Sequence, residues 1–420
     1  MNFRFEPPRW SLNTNLYEVN LRQYTSEGTF HAFGRELHRL REMGIEVLWF
    51  MPITPISKAK RLGSLGSYYA CSDYLNTNPE FGTIHDFKNL VKKAHDLGFK
   101  VLIDWVANHT GWDHVWTETD PGFYKRNSRN EFYDNNNWSD VIDLNYYDHA
   151  MRRKMIEAMQ FWVQECEIDG FRCDMAHLVP LDFWRQARQH LDAIKPLFWL
   201  AETEHPNYQH VFDCSYAWHW MHATENFVKN HGSVEDLKHV LSEYQRKKLA
   251  QTNHLFFTSN HDENSWNGTE YEKYGAAAQV FAVFACTWNG IPMIYSGQEL
   301  PNRKRLKFFD KDLIEWTGKY ELQDFYKTLL HLRSSFREEQ TEVLMLNTGA
   351  NRHLLAFIKL SRLKQQLVVL NLGDQQQSLH LEESIISGMY RDVFTNHKLQ
   401  ASAVKNIHLQ PWGWMVLEKR

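Results

Sequence analysis

This chain has almost no net charge. Its 47 Lys and Arg stand against 51 Asp and Glu, which leaves −4. Without an excess of one sign there is no electrostatic case for nucleic acid or an acidic membrane as a partner. Cysteine is scarce and unpatterned. Cys71, Cys166, Cys173, Cys214 and Cys286 are odd in number, and none stands at C-x-x-C spacing. They read as reduced, mostly buried thiols rather than bridges or metal ligands. The opening residues, Met1-Asn2-Phe3-Arg4-Phe5-Glu6-Pro7-Pro8, lack the apolar core of a secretory leader, which favours the cytoplasm. No apolar run is long enough to span a bilayer; residues 276–288 come closest and read as a buried helix. The polar run Asp134-Asn135-Asn136-Asn137 is no EF-hand, having neither Gly at the sixth position nor an acid at the twelfth. A polar turn fits it better.

What the chain does have is alternation. Short apolar runs at 16–21, 47–51, 100–106, 168–173, 197–201, 211–216, 254–258 and 292–295 read as eight strands. Helical patterns at 30–43, 84–97, 147–167, 234–249, 274–288 and 321–336 lie between and after them. Strand and helix in turn predict an α/β fold with a parallel sheet, and eight such units predict a (β/α)8 TIM barrel over residues 1–338. The connection after the third strand, 107–146, is about forty residues long and rich in Trp, Asn, Asp and Tyr, so it reads as a small excursion domain. Beyond residue 338 the pattern turns strand-like, at 353–360, 366–372 and 412–417. Residues 339–420 therefore read as a C-terminal antiparallel β-sandwich domain.

In such barrels the chemistry sits at the C-terminal ends of the strands. The run Ile168-Asp169-Gly170-Phe171-Arg172-Cys173-Asp174 ends in a charged pair. Residues two apart on a strand share a face, so Arg172 and Asp174 stand side by side and Cys173 points away. A neighbouring guanidinium lowers a carboxyl's pKa below its free value of about 3.9. By itself the pair reads equally well as a structural ion pair or as an oriented nucleophile. Other strand ends also carry charge or imidazole: Asp104 to His109 after the third, Glu202 after the fifth, His261 and Asp262 after the seventh.

Together these segments resemble the α-amylase superfamily of retaining glycoside hydrolases, glycoside hydrolase family 13. Asp104-Trp105-Val106-Ala107-Asn108-His109 is similar to D-x-V-x-N-H. Gly170-Phe171-Arg172-Cys173-Asp174 is similar to G-F-R-x-D, and Phe257-Thr258-Ser259-Asn260-His261-Asp262 to F-x-x-N-H-D. Glu202 stands where the family has its acid after the fifth strand. Residues 44–52, 141–145 and 290–299 agree as well, so the resemblance spans nearly the whole barrel.

The resemblance implies roles. Asp174 would be the nucleophile, Glu202 the general acid and base, and Asp262 the stabiliser of the strained sugar. His109, His261, Arg172 and the stacking Tyr69 would serve substrate binding, with Tyr68 the competing choice for Tyr69. Asp104 would be structural. His177-Leu178 departs from the Lys-His common in α-amylases; it leaves His177 as the candidate on the acceptor side. The family's calcium site would draw on Asn108, Asp143 and the backbone carbonyl of Leu178, although the hydrolytic chemistry requires no cofactor. Lys304 and Arg305 are candidates for the open subsites or a solvated loop, and Trp112, Trp116 and Trp138 for the cleft or for packing. The expected activity is cleavage of α-1,4 bonds in malto-oligosaccharides or starch-like α-glucans through a covalent glycosyl-Asp intermediate. The alternatives are an α-glucan transglycosylase of 4-α-glucanotransferase type and, with all three acids present, more remotely an inactive sugar-binding homologue.

Overall fold

The computed structural model describes residues 5–246, 253–349, 351–381 and 385–419. Eight parallel strands close into a barrel in chain order: β1 Leu16–Val19, β2 Val47–Phe50, β3 Lys100–Trp105, β4 Gly170–Cys173, β5 Phe198–Ala201, β6 Cys214–Tyr216, β7 Asn253–Phe256 and β8 Ile291–Tyr295. Each pairs with its sequence neighbour, and β8 closes on β1 with Leu16 opposite Met293.

Side chains alternate between two layers. Leu16, Val47, Trp49, Leu102, Phe198, Leu200, Cys214 and Leu255 fill the barrel interior. Tyr17, Leu48, Phe50, Ile103, Phe171 and Cys173 belong to the layer under the outer helices. Strands covered on both faces need near-continuous apolar sequence, which is why these runs were legible. The same alternation turns Glu18, Asp104 and Arg172 inward near the strand ends, where all three are buried.

Most expected helices are present, with shifted ends. Ile84–Asp96 begins in a capping box between Thr83 and Asp86, and His149–Glu165 begins at Asp148. The single helix expected over 30–43 is two pieces, Phe30–Phe33 and Leu37–Met43. The expected strand 16–21 stops at Val19 because Leu21–Tyr24 coils into a helical turn. The helix expected over 234–249 is observed as Val234–Arg246, and 247–249 lie outside the described residues. Two helices carried too blurred a pattern to be foreseen, Leu181–Asp192 and Trp218–Asn230. In the first, the buried stripe includes Arg188, which pairs with Asp192 and Asp213. In the second it includes Thr224.

The excursion pairs His109–Gly111 with Val141–Asp143 as an antiparallel ribbon, His109 opposite Asp143. The C-terminal region forms a six-stranded antiparallel sheet and a two-stranded one, Gln377–His380 with Asn406–Leu409. One face of the larger sheet (Leu354, Ala356, Ile358, Val369) packs with Leu379 and Ile407 of the smaller. From its other face Phe357 meets Trp288 edge-on at 4.9 Å. All five cysteines are free and buried. Among the described residues no helix is long and apolar enough to cross a membrane.

Candidate active site

A cavity of about 380 Å³ opens at the C-terminal ends of the strands. Asp174, Glu202 and Asp262 lie on its surface with Tyr69 and His109. Beneath them sits Arg172, fully buried. One of its terminal nitrogens donates to Asp104 Oδ1 and Asp174 Oδ1, each at 3.0 Å. The other lies 2.8 Å from Glu202 Oε2 as an ion pair without hydrogen-bond alignment.

One guanidinium therefore serves three carboxyls. The sequence suggested that Arg172 holds Asp174 below the usual carboxylate range. The structure reverses the direction: burial pushes Asp174 upward, Arg172 pulls it back, and the Asp104 and Asp262 charges raise it further. Burial likewise raises Glu202 and Asp104 against the pull of Arg172. The two reacting candidates still differ in their partners. Asp174 accepts an aligned bond from Arg172 on Oδ1, while its buried Oδ2 has no protein partner. Glu202 accepts instead from the backbone N–H of Met175 at 2.9 Å. Met175 achieves this in the left-handed region, φ +40°, a conformation a side chain with a Cβ rarely adopts.

Tyr69 rather than Tyr68 reaches the cavity. Its hydroxyl donates to Asp104 Oδ2 at 3.2 Å, and its ring lies near-parallel to those of His261 and Phe308, which also touch each other. Tyr68 is buried elsewhere, bonded to Asn20 under the Arg22 guanidinium. His109 is held neutral, burial pulling it down to about 4.

Three residues expected at the substrate do not line the cavity. Arg172 is wholly buried and braces the carboxyls from below. His261 lies behind Tyr69 with both ring nitrogens taken: Nδ1 by Glu18, Nε2 by the Tyr69 hydroxyl at 2.7 Å. Burial pulls His261 down, but Asp262 and Glu18 outweigh it and raise it to about 9. His177 is exposed and off the cavity wall, in a short turn at Ala176–Leu178. Lys304 and Arg305 are tied up in ion pairs with Asp312 and Glu272. Of the three excursion tryptophans only Trp138 lines the cavity; Trp116 is core, and Trp112 bonds to the Ser139 carbonyl.

The sequence offered no signal for Trp266, Phe308, Phe309 or Asp140, all on the wall. Trp266, half exposed, packs on Phe308 and Phe309. It rides on a π-helical turn, Glu263–Asn267, whose Asn264 clamps the loop after β8 through Lys304 O and Leu306 N. Glu18 is also new; only the closed barrel brings β1 against His261.

The residues expected to hold calcium do come together, with Asn108 Nδ2 3.4 Å from Asp143 Oδ1. Yet Asp143 Oδ2 already accepts from Lys125 at 2.8 Å and from Asn135 at 2.7 Å. The Lys125 ammonium takes the carboxylate oxygen that a calcium ion would need. The set does not fit calcium.

The α-amylase catalytic-domain model matches residues 13–133 and 119–341, most of the chain. The chain belongs to the α-amylase family. An α-amylase from Haloarcula japonica is 25% identical over 92% of this chain, and α-amylase 3 from Dictyoglomus thermophilum 26% over 69%. This member of the family spans only 60% and 64% of their lengths. Among solved structures, a maltogenic α-amylase from Thermotoga neapolitana superposes with a TM-score of 0.89 at 29% identity, covering 97% of this chain and 98% of its own.

Proposed function

We propose that the protein is a retaining α-glucan hydrolase acting on α-1,4 bonds in malto-oligosaccharides. The observation that carries this is the pair Asp174 and Glu202, buried at one cavity and braced by one guanidinium, with Asp174 Oδ2 unpartnered. An aligned bond to a cation favours the charged form, and Asp174 has it while Glu202 does not. The proton of the cluster therefore belongs on Glu202.

The reaction follows from that asymmetry. Asp174 Oδ2 attacks the anomeric carbon as Glu202 gives its proton to the departing glycosidic oxygen. This leaves a glycosyl ester on Asp174 and a carboxylate on Glu202. Glu202 then takes a proton from water, whose oxygen displaces Asp174 and restores both groups. Retaining enzymes hold the two carboxyls about 5–5.5 Å apart, and their attachment to one guanidinium supports that reading. Asp262 faces the sugar, while Tyr69 and His109 flank it. Trp138 from the excursion and Trp266 from the loop after β7 supply apolar faces for pyranose rings.

The names of the relatives support the substrate class: besides α-amylases they include a cyclomaltodextrinase from Thermoanaerobacter pseudethanolicus, 24% identical. The test is incubation with maltotriose while NMR records the first anomer released. The α-anomer, with shorter products, is expected. Release of the β-anomer contradicts retention, longer products move the assignment to a transglycosylase, and no turnover removes both.

A further inference from the structure

We propose that the Lys125 ammonium is the built-in cation of the excursion, taking the position a metal ion would hold against Asp143. Lys125 leaves the short segment that follows the turn Pro121–Phe123, and its own backbone N–H donates to the Asp143 carbonyl at 3.0 Å. That pairing fixes the stem beside the carboxylate. The ammonium then reaches Asp143 Oδ2 at 2.8 Å. Asp143 is almost fully buried, while the lysine side chain is about one-third exposed at 31%.

A buried carboxylate without a positive partner is costly, so this site needs a cation of some kind. Lysine supplies one charge and three donors on a flexible stem, as a compact point charge. The remaining acceptor capacity of Asp143 goes to amide nitrogens, Asn135 Nδ2 at 2.7 Å and Asn108 Nδ2 at 3.4 Å. A calcium ion would meet the ammonium and these N–H groups at the same carboxylate, and it takes six to eight oxygens. The ammonium and a calcium ion exclude each other there.

The position matters because Asp143 lies opposite His109 in the excursion ribbon. The ribbon carries His109 on one edge, and His109 lines the cavity. Leu144 N donates to Asn108 O at 3.0 Å, which ties the same edge to the end of β3. Lys125 thus ties the excursion's two halves together and holds that wall of the cavity in place.

Thermal unfolding with and without a chelator, joined to metal analysis of the protein, tests this. The parent is expected to melt at the same temperature in chelator and in added calcium, and to carry no stoichiometric calcium. Lys125→Met is expected to melt lower, with a melting point that calcium raises because the carboxylate is vacated. Lys125→Arg, which keeps a cation, should stay near the parent even if the methionine variant fails to fold. A parent that melts lower in chelator, that calcium stabilises, or that holds one calcium per chain overturns the proposal. So does a Lys125→Met variant as stable as the parent.

Discussion

Glu18 on β1 and His261 beyond β7 are hydrogen-bonded through Nδ1, both buried, at the heart of the closed barrel. The groups facing the imidazole are Glu18, Asp262, Tyr69, Asp104 through Tyr69, and Arg172. With a value of about 9 the imidazole is charged at neutral pH. It holds Tyr69 from behind and leaves that ring to face the cavity.

This charge makes stability depend on pH in a definite direction. The folded value lies above the free histidine value of 6.5, so the pair's contribution is complete below pH 6.5 and is lost as pH rises through about 9. The shift corresponds to about 3 kcal/mol. Glu18→Gln should therefore lower the melting temperature at pH 6, and the gap to the parent should narrow by pH 10. A gap that stays constant across thermal melts over that range contradicts the charged pair.

The two carboxyls should fail differently. Glu202→Gln is expected to lower kcat by about 10²–10⁴ on maltotriose, the usual worth of a general acid. Asp174→Ala removes the covalent route and should cost more. With an aryl glycoside whose leaving group needs no proton, Glu202→Gln should recover much of its first-step rate and Asp174→Ala none. Steady-state and burst kinetics on the two substrates separate these outcomes; equal losses on both would sink the division of labour.

The pH profile of kcat/KM should be bell-shaped, with its acid limb above the free carboxylate range. Burial raises both Asp174 and Glu202, so Asp174 gains its charge later in pH than a free aspartate and Glu202 keeps its proton longer. An acid limb at or below pH 4 would indicate a solvated Asp174.

Trp266→Ala should raise KM for long oligosaccharides about tenfold, the worth of roughly 1.4 kcal/mol of ring contact, with kcat little changed. For maltose-sized substrates the effect should vanish if the ring serves a distal unit. A uniform fall in kcat would instead place Trp266 with the reacting groups.

Gly170→Ala should fail to fold or lose more than about 4 kcal/mol. A Cβ at Gly170 would lie only 2.0 Å from the Phe198 carbonyl oxygen on β5. No flexible side chain can give way there. Circular dichroism melts of the purified variant decide it.

This glycine shows how much of the site was readable. The G-F-R-x-D pattern, the eight apolar runs and the three acids stand in the chain order, because parallel strands buried on both faces must be apolar and their ends must carry the chemistry. The helices Leu181–Asp192 and Trp218–Asn230 escaped because buried Arg188 and Thr224 interrupt their stripes. That His177 stands exposed off the cavity wall was not legible, because nothing in its neighbours reveals how the short turn directs it.

By itself the sequence determined the barrel and the β-rich C-terminal region, since local periodicity carries that information, and its motifs singled out Asp174, Glu202 and Asp262, which the fold brings to one cavity. Only the tertiary structure decided their electrostatics. Burial, with the charges of Asp104 and Asp262, outweighs Arg172 and reverses the expected shift of Asp174. Closing the barrel brings Glu18 to His261 across 243 positions, and folding the excursion brings Lys125 to Asp143. Burial and charge act through space, and no spacing along the chain records which groups will share it.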